Sequence, residues 1–263
     1  MFRKIGGVCR AYPYLLLLLY PVFHVCFFFL LDYIPLEHHF IECPLDTVIP
    51  FCEWFVLPYC IWFFYLFGGM VFFVFLPRKD FLRMSLFTMA GLAVCLLICL
   101  VYPTAIAFRP TSFARDNLLI RLTKLIYAAD NPWNIFPSMH CYGAIGMTVA
   151  ICKSKRLNCR RVIPVCSVVL CVLICLSTVF IKQHSVLDMA AAIVLAIVMY
   201  PLAYCVQWRF LNGNDFAVFI RQKLRRFPET ESDASVSPLL HEPTSAVPGG
   251  SDGREQMRHT RSR

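Results

Sequence analysis

Two short stretches of this 263-residue chain place reactive side chains at spacings that suit chemistry: "FPSMH", Phe136 to His140, and "KQHSVLD", Lys182 to Asp188. His184 and Asp188 stand four residues apart at a helix start. They therefore share a face, and the carboxylate accepts a hydrogen bond from one imidazole nitrogen. The other nitrogen is left free to act as a nucleophile or a ligand. Ser138 follows Pro137 where a helix begins, and unpaired backbone N–H groups together with the helix dipole favour an anion there. Arg109 and Lys182 add fixed positive charge, and His140 supplies a second imidazole. This set suits phosphate chemistry: one group attacks phosphorus, one protonates the departing oxygen, and the rest hold charged oxygens.

Each residue also has a purely structural reading. Ser138 is a natural helix cap, His140 an interfacial histidine facing water, and Arg109 and Lys182 headgroup anchors. His184 with Asp188 is a structural pair, or part of a metal site with His140. The phosphate reading rests on the conjunction, because the expected topology brings all of them to one membrane level, where ionisable groups are costly.

That topology follows from composition. The chain is 59% hydrophobic, 15% aromatic and only 16% charged, where a soluble domain carries about a quarter charged residues. Its apolar residues fall into runs of roughly twenty, enough to cross a hydrocarbon core about 30 Å thick. Spans are expected at Tyr14 to Leu31, Trp54 to Leu76, Leu86 to Ala107, Met139 to Cys152, Val162 to Ile181, and Val186 to Trp208. Continuous runs indicate helices, since barrel strands would alternate in short segments. The expected fold is all-α: a polytopic membrane protein built as a six-transmembrane-helix bundle. The fourth span is short. It reaches membrane length only if it begins near Ser138 and continues through Lys153 to Arg156, whose side chains snorkel to headgroups. The first span is expected to stay in place rather than be cleaved as a signal peptide, since bulky residues follow it instead of a small-residue cleavage site.

The net charge of +9 is distributed loop by loop, which argues for topology and against nucleic acid. Arg3, Lys4 and Arg10, then Arg78, Lys79 and Arg83, then Lys153, Lys155, Arg156, Arg160 and Arg161, then Arg209, Arg221, Lys223, Arg225 and Arg226 mark the cytoplasmic side. The first loop holds Asp32, Glu37, Glu42, Asp46 and Glu53 without a lysine or arginine, so it faces out. Both termini are expected inside and the polar set outside. Asp116 to Asp130 reads as an amphipathic helix at the outer interface, and Phe216 to Phe227 as a basic one on the cytoplasmic surface. Pro228 to Arg263 has the composition of a disordered tail. Most of the fourteen cysteines lie in apolar runs, where they behave as small hydrophobes. Cys43 and Cys52 lie in the outward loop, where they can pair in an oxidising compartment.

Arg109-Pro110, then Pro137, Ser138 and His140, then Ser177, His184 and Asp188 resemble the three ordered motifs of the type 2 phosphatidic acid phosphatase superfamily, across about Tyr102 to Tyr204. Two positions depart from the pattern: Tyr102 stands where the first motif usually has a lysine, and Thr178 where the third has an arginine. The departures are similar to a divergent branch with inositolphosphotransferase-like and sphingolipid-synthase-like members. The resemblance implies an integral membrane lipid phosphatase acting on a lipid phosphate or isoprenyl diphosphate. His184 would form a phosphohistidine, Asp188 would orient it, and His140 would act as acid and base. Arg109, Ser138 and Lys182 would bind phosphoryl oxygens, with no metal or cofactor needed. The alternatives are a phosphotransferase with an alcohol acceptor and a non-enzymatic transporter or scaffold. The implied organisation is residues 1–85 as two helices with the acidic loop, 86–210 as the catalytic core, and 211–263 as the basic segment and tail. The implied location is the plasma membrane, with the site on the non-cytoplasmic face.

Overall fold

The computed structural model describes residues 11–31 and 33–225. The chain divides into two units, Met1–Leu224 and Arg225–Arg263, and of the second only Arg225 is among the described residues. The basic N-terminus, the tail and the expectation that both termini are cytoplasmic lie outside the described residues.

Five helices have the length and apolar composition to cross a membrane: α1 (Pro13–Leu31), α2 (Glu53–Phe73), α3 (Arg78–Val101), and two labelled below, Val162–Phe180 and Val186–Cys205. Between α3 and these two lie α4 (Leu118–Ala129) and α5 (Met139–Lys153). The long pair are α6 (Val162–Phe180) and α7 (Val186–Cys205), and α8 (Phe216–Arg225) follows. The described residues are mostly helical. Two-residue strands β1 (His39–Phe40) and β2 (Thr104–Ala105) pair in parallel and tie the first loop to the segment after α3.

The fourth expected span, α5, has 15 residues and is shorter than the five. Its expected continuation through Arg156 does not form. Ser154 leaves the helix at ψ 117°, its hydroxyl donates to Asp80 at 2.7 Å, and Lys155–Asn158 begins a separate short helix. What α5 lacks in length it has in burial: Met139, Cys141, Tyr142, Gly143, Ala144, Gly146, Met147 and Ala150 are all buried, so nearly every face is covered. It packs against α3, α6 and α7. Small residues permit this approach, as is usual between membrane helices. A Cβ at Gly146 would stand 2.6 Å from the Thr88 hydroxyl of α3.

Local chemistry sets the helix starts. The Asn117 side chain accepts from the Ile120 amide at 2.9 Å and caps α4, whose apolar and polar faces are segregated as expected. Ser138 caps α5, and Ser185 with Asp188 forms a reciprocal capping box at α7.

Candidate active site

The turn between α6 and α7 carries His184. The amides of Gln183 and His184 both donate to the Thr178 carbonyl, at 2.9 and 3.0 Å. Lys182 sits in the left-handed region at φ 57°, a conformation that costs a non-glycine residue roughly 1–2 kcal/mol and needs support from its surroundings. Asp188 accepts the Ser185 amide at 2.8 Å through Oδ2. The same oxygen stands 3.4 Å from Nδ1 of His184, at ion-pair distance though off the line of a hydrogen bond. Burial pulls the His184 pKa down, but the Asp188 carboxylate outweighs it, and the net direction is upward from the ordinary value.

The N-terminus of α5 brings the second motif to this turn. The Ser138 amide donates to the Asp188 carbonyl at 3.1 Å, and its hydroxyl accepts the Cys141 amide at 3.3 Å. Nδ1 of His140 lies 3.3 Å from Nε2 of His184. The His140 ring packs on Tyr59 and Trp62, at centroid distances of 4.4 and 4.2 Å. Ser138, His140, His184 and Asp188 are thus brought together, all of them buried except the half-buried His140.

The two expected cations are placed differently. Arg109 donates to the carbonyls of Asp130 and Asn131, at 2.7 and 3.2 Å, and its guanidinium lies over the Tyr127 ring at 4.9 Å. Burial lowers its pKa from the ordinary value. Lys182, expected as a phosphate ligand, directs its ammonium to the backbone carbonyls of Asp46 and Ile49. The structure makes it a clamp on the first loop. Neither departure position restores a cation: Tyr102 stacks on His39 at 4.5 Å, and the Thr178 hydroxyl donates to the Cys175 carbonyl at 2.8 Å. Cys43 and Cys52 carry free thiols. Among the described residues, no group of three or more His, Cys, Asp or Glu side chains is gathered to hold a metal ion.

Several neighbours were not signalled by the motifs. Tyr59 donates to the Asp130 carboxylate at 2.9 Å, and the Gln183 amide donates to the same carboxylate at 3.2 Å. The i, i+3 spacing of Tyr59 and Trp62 puts both on one face of α2, which in hindsight is a signal for a ring platform under His140. Asp46 is 1% exposed and meets the start of α7, which nothing in its sequence context indicates. An apolar cavity of about 360 Å³ is lined by residues of α1, α2 and α4, Leu66 and Met70 among them, and by His140 and Asp130.

The family model described as the PAP2 superfamily matches residues 107–211, from just before Arg109 to just past α7. Over residues 107–211 the chain is similar to the PAP2 superfamily. No curated protein and no solved structure matches it. PAP2 members are phosphatases or phosphotransferases of membranes, and the PAP2 match contains all six of the residues singled out for phosphate chemistry: Arg109, Ser138, His140, Lys182, His184 and Asp188.

Proposed function

We propose that this protein is a six-span membrane enzyme that hydrolyses a phosphomonoester or diphosphate of a lipid at the non-cytoplasmic face, through a phosphohistidine on His184. The observation that carries the reading is the pair of facing ring nitrogens, His184 Nε2 and His140 Nδ1, 3.3 Å apart, with His140 lining an apolar cavity. A lipid phosphate has the matching shape: an apolar chain for the cavity and an anionic end for the histidines.

Nε2 of His184 attacks phosphorus while the bond from phosphorus to the leaving oxygen breaks. His140 gives that oxygen its proton. Water then attacks phosphorus as the phosphorus–nitrogen bond breaks, one of its protons passes to His140, and inorganic phosphate leaves with His184 free. Asp188 holds His184 in orientation. Arg109 and the N-terminus of α5 at Ser138 hold phosphoryl oxygens, and Lys182 adds positive charge beside the nucleophile while it clamps the loop. The basic groups of the loop between α5 and α6 support the assignment of faces.

Tyr102 and Thr178, which replace two cations of the type 2 pattern, favour a second reading, in which an alcohol in place of water takes the phosphoryl group. The test is a panel of phosphatidate, phosphatidylglycerol phosphate, sphingosine phosphate and undecaprenyl diphosphate, with purified protein in detergent, with and without alcohol acceptors. Phosphate release without acceptor is expected, and release only in the presence of an acceptor selects the second reading. His184→Ala is expected to abolish turnover and acid-labile labelling by a ³²P-lipid, and His140→Ala to slow turnover by about 10²- to 10⁴-fold. Full function in a folded His184→Ala variant refutes both enzymatic readings and leaves a transporter or scaffold.

A further inference from the structure

We infer that the acidic first loop is part of the catalytic apparatus, with Asp46 as the positioning residue that sets the His184 turn. The inference rests on His184 being the nucleophile, as proposed above.

Asp46 lies on the five-residue helical turn Pro44–Val48, far in sequence from the PAP2 match, yet the residue is 1% exposed. One oxygen, Oδ2, accepts the Ser185 hydroxyl at 2.6 Å and the Cys43 amide at 2.8 Å. The other, Oδ1, accepts the Val186 amide at 2.9 Å. The carboxylate therefore binds the first residues of α7, where free amides and the helix dipole favour negative charge. The Asp46 carbonyl receives the Lys182 ammonium together with the Ile49 carbonyl, and the Cys52 amide donates to the Phe180 carbonyl at 3.0 Å. Phe180, Lys182, Ser185 and Val186 are all held by residues 46–52, so the loop grips both sides of His184 without touching its ring.

The path to the nucleophile is short. Ser185 is bonded by its hydroxyl to Asp46 and by its amide to Asp188, at 2.6 and 2.8 Å. Asp188 is in turn the carboxylate beside Nδ1 of His184. Moving Asp46 shifts the residue that aligns Asp188, and a misplacement of about 1 Å at a reacting group is enough to cost about 10²-fold in rate. The Asp46 carboxyl is suited to the task. Burial pushes its pKa up, but the Ser185 hydroxyl and the Val186 and Cys43 amides outweigh that, and it stays below the usual carboxylate range and charged. A loop that only marks the outer side of a membrane has no need of a buried, fully bonded aspartate.

The test uses full-length protein in detergent on the best lipid substrate of the panel. It compares Asp46→Asn, Asp46→Ala, Ser185→Ala, the double variant Asp46→Asn with Ser185→Ala, and His184→Ala. The expected result is a graded loss of kcat, about 10-fold for Asp46→Asn and about 10²-fold for Asp46→Ala per folded molecule. KM should stay within twofold, and the rate of histidine labelling should fall in parallel. The double variant should lose little more than the worse single one, since both remove the same tether. A purely structural role predicts instead a lower melting temperature with unchanged kcat in the molecules that remain folded, and that result overturns the inference. An inactive His184→Ala beside a fully active Asp46→Ala overturns the inference alone, and turnover in His184→Ala overturns it together with the functional reading beneath it.

Discussion

Replacing Gly91 with alanine tests whether α5 is held where the site needs it. Gly91 of α3 faces Tyr142 of α5, and a Cβ there would stand 1.9 Å from the tyrosine hydroxyl oxygen, 2.0 Å from Cζ and 2.3 Å from Cε1. The ring has no room to turn aside. Tyr142 is 0% exposed, and its hydroxyl donates to the Phe87 carbonyl at 2.7 Å. Overpacking of this kind costs about 1–3 kcal/mol, and breaking the buried hydrogen bond leaves unpaired groups at about 1–3 kcal/mol more. Gly91→Ala is thus expected to destabilise by about 2–6 kcal/mol, a large share of a typical total of about 5–15 kcal/mol. Gly68→Ala is the control. It meets nothing within 4 Å, and losing a glycine inside a helix should be neutral or stabilise by about 0.5–1 kcal/mol. Melting in detergent compares the two. Because the Tyr142 amide bonds to the Ser138 carbonyl at 2.9 Å, a displaced Tyr142 also drags the first turn of α5, so kcat per folded molecule should fall in Gly91→Ala. Equal melting temperatures for wild type, Gly68→Ala and Gly91→Ala would refute the packing argument.

Three further outcomes are expected. The proposed attack by His184 needs a neutral imidazole, and its pKa is raised from the ordinary 6.5, so kcat/KM should fall as pH drops, with its midpoint above 6.5. Asp188→Asn removes the carboxylate that outweighs burial, so the acid limb should move to lower pH; a limb that stays in place would detach Asp188 from His184. Ala129 lines the exposed side of the cavity, and Ala129→Trp should raise KM for a long-chain substrate about 10-fold, a difference of about 1.4 kcal/mol. Turnover of a soluble aryl phosphate should not change, and an equal loss on both substrates would remove the cavity from substrate binding.

Much of the architecture was legible because it is local. Runs of apolar residues long enough to cross a bilayer were readable as helices, and five of them have that form. The caps at Ser138 and Ser185 and the amphipathic α4 follow from hydrogen bonding and periodicity within a few residues. The fourth span resisted, because length and hydropathy measure contact with lipid, whereas α5 is surrounded by other helices and needs small residues instead. That the two histidine motifs lie near one another was legible from their position at span ends; the 3.3 Å approach of their rings was not.

The sequence by itself determined that this is a helical, membrane-embedded chain with PAP2 motifs, since residue type, spacing and run length carry that information directly. Only the tertiary structure decided what the isolated charges do. Lys182 and Arg109 read identically as cations at span ends, but their ammonium and guanidinium groups meet backbone carbonyls. Asp46 read as one more acid in an outward loop, yet it lies bonded to Ser185 and Val186, next to His184. The physical reason is that a charge near a bilayer must find a partner, and which partner it finds depends on contacts across 21 to 140 residues of chain, which no local pattern records.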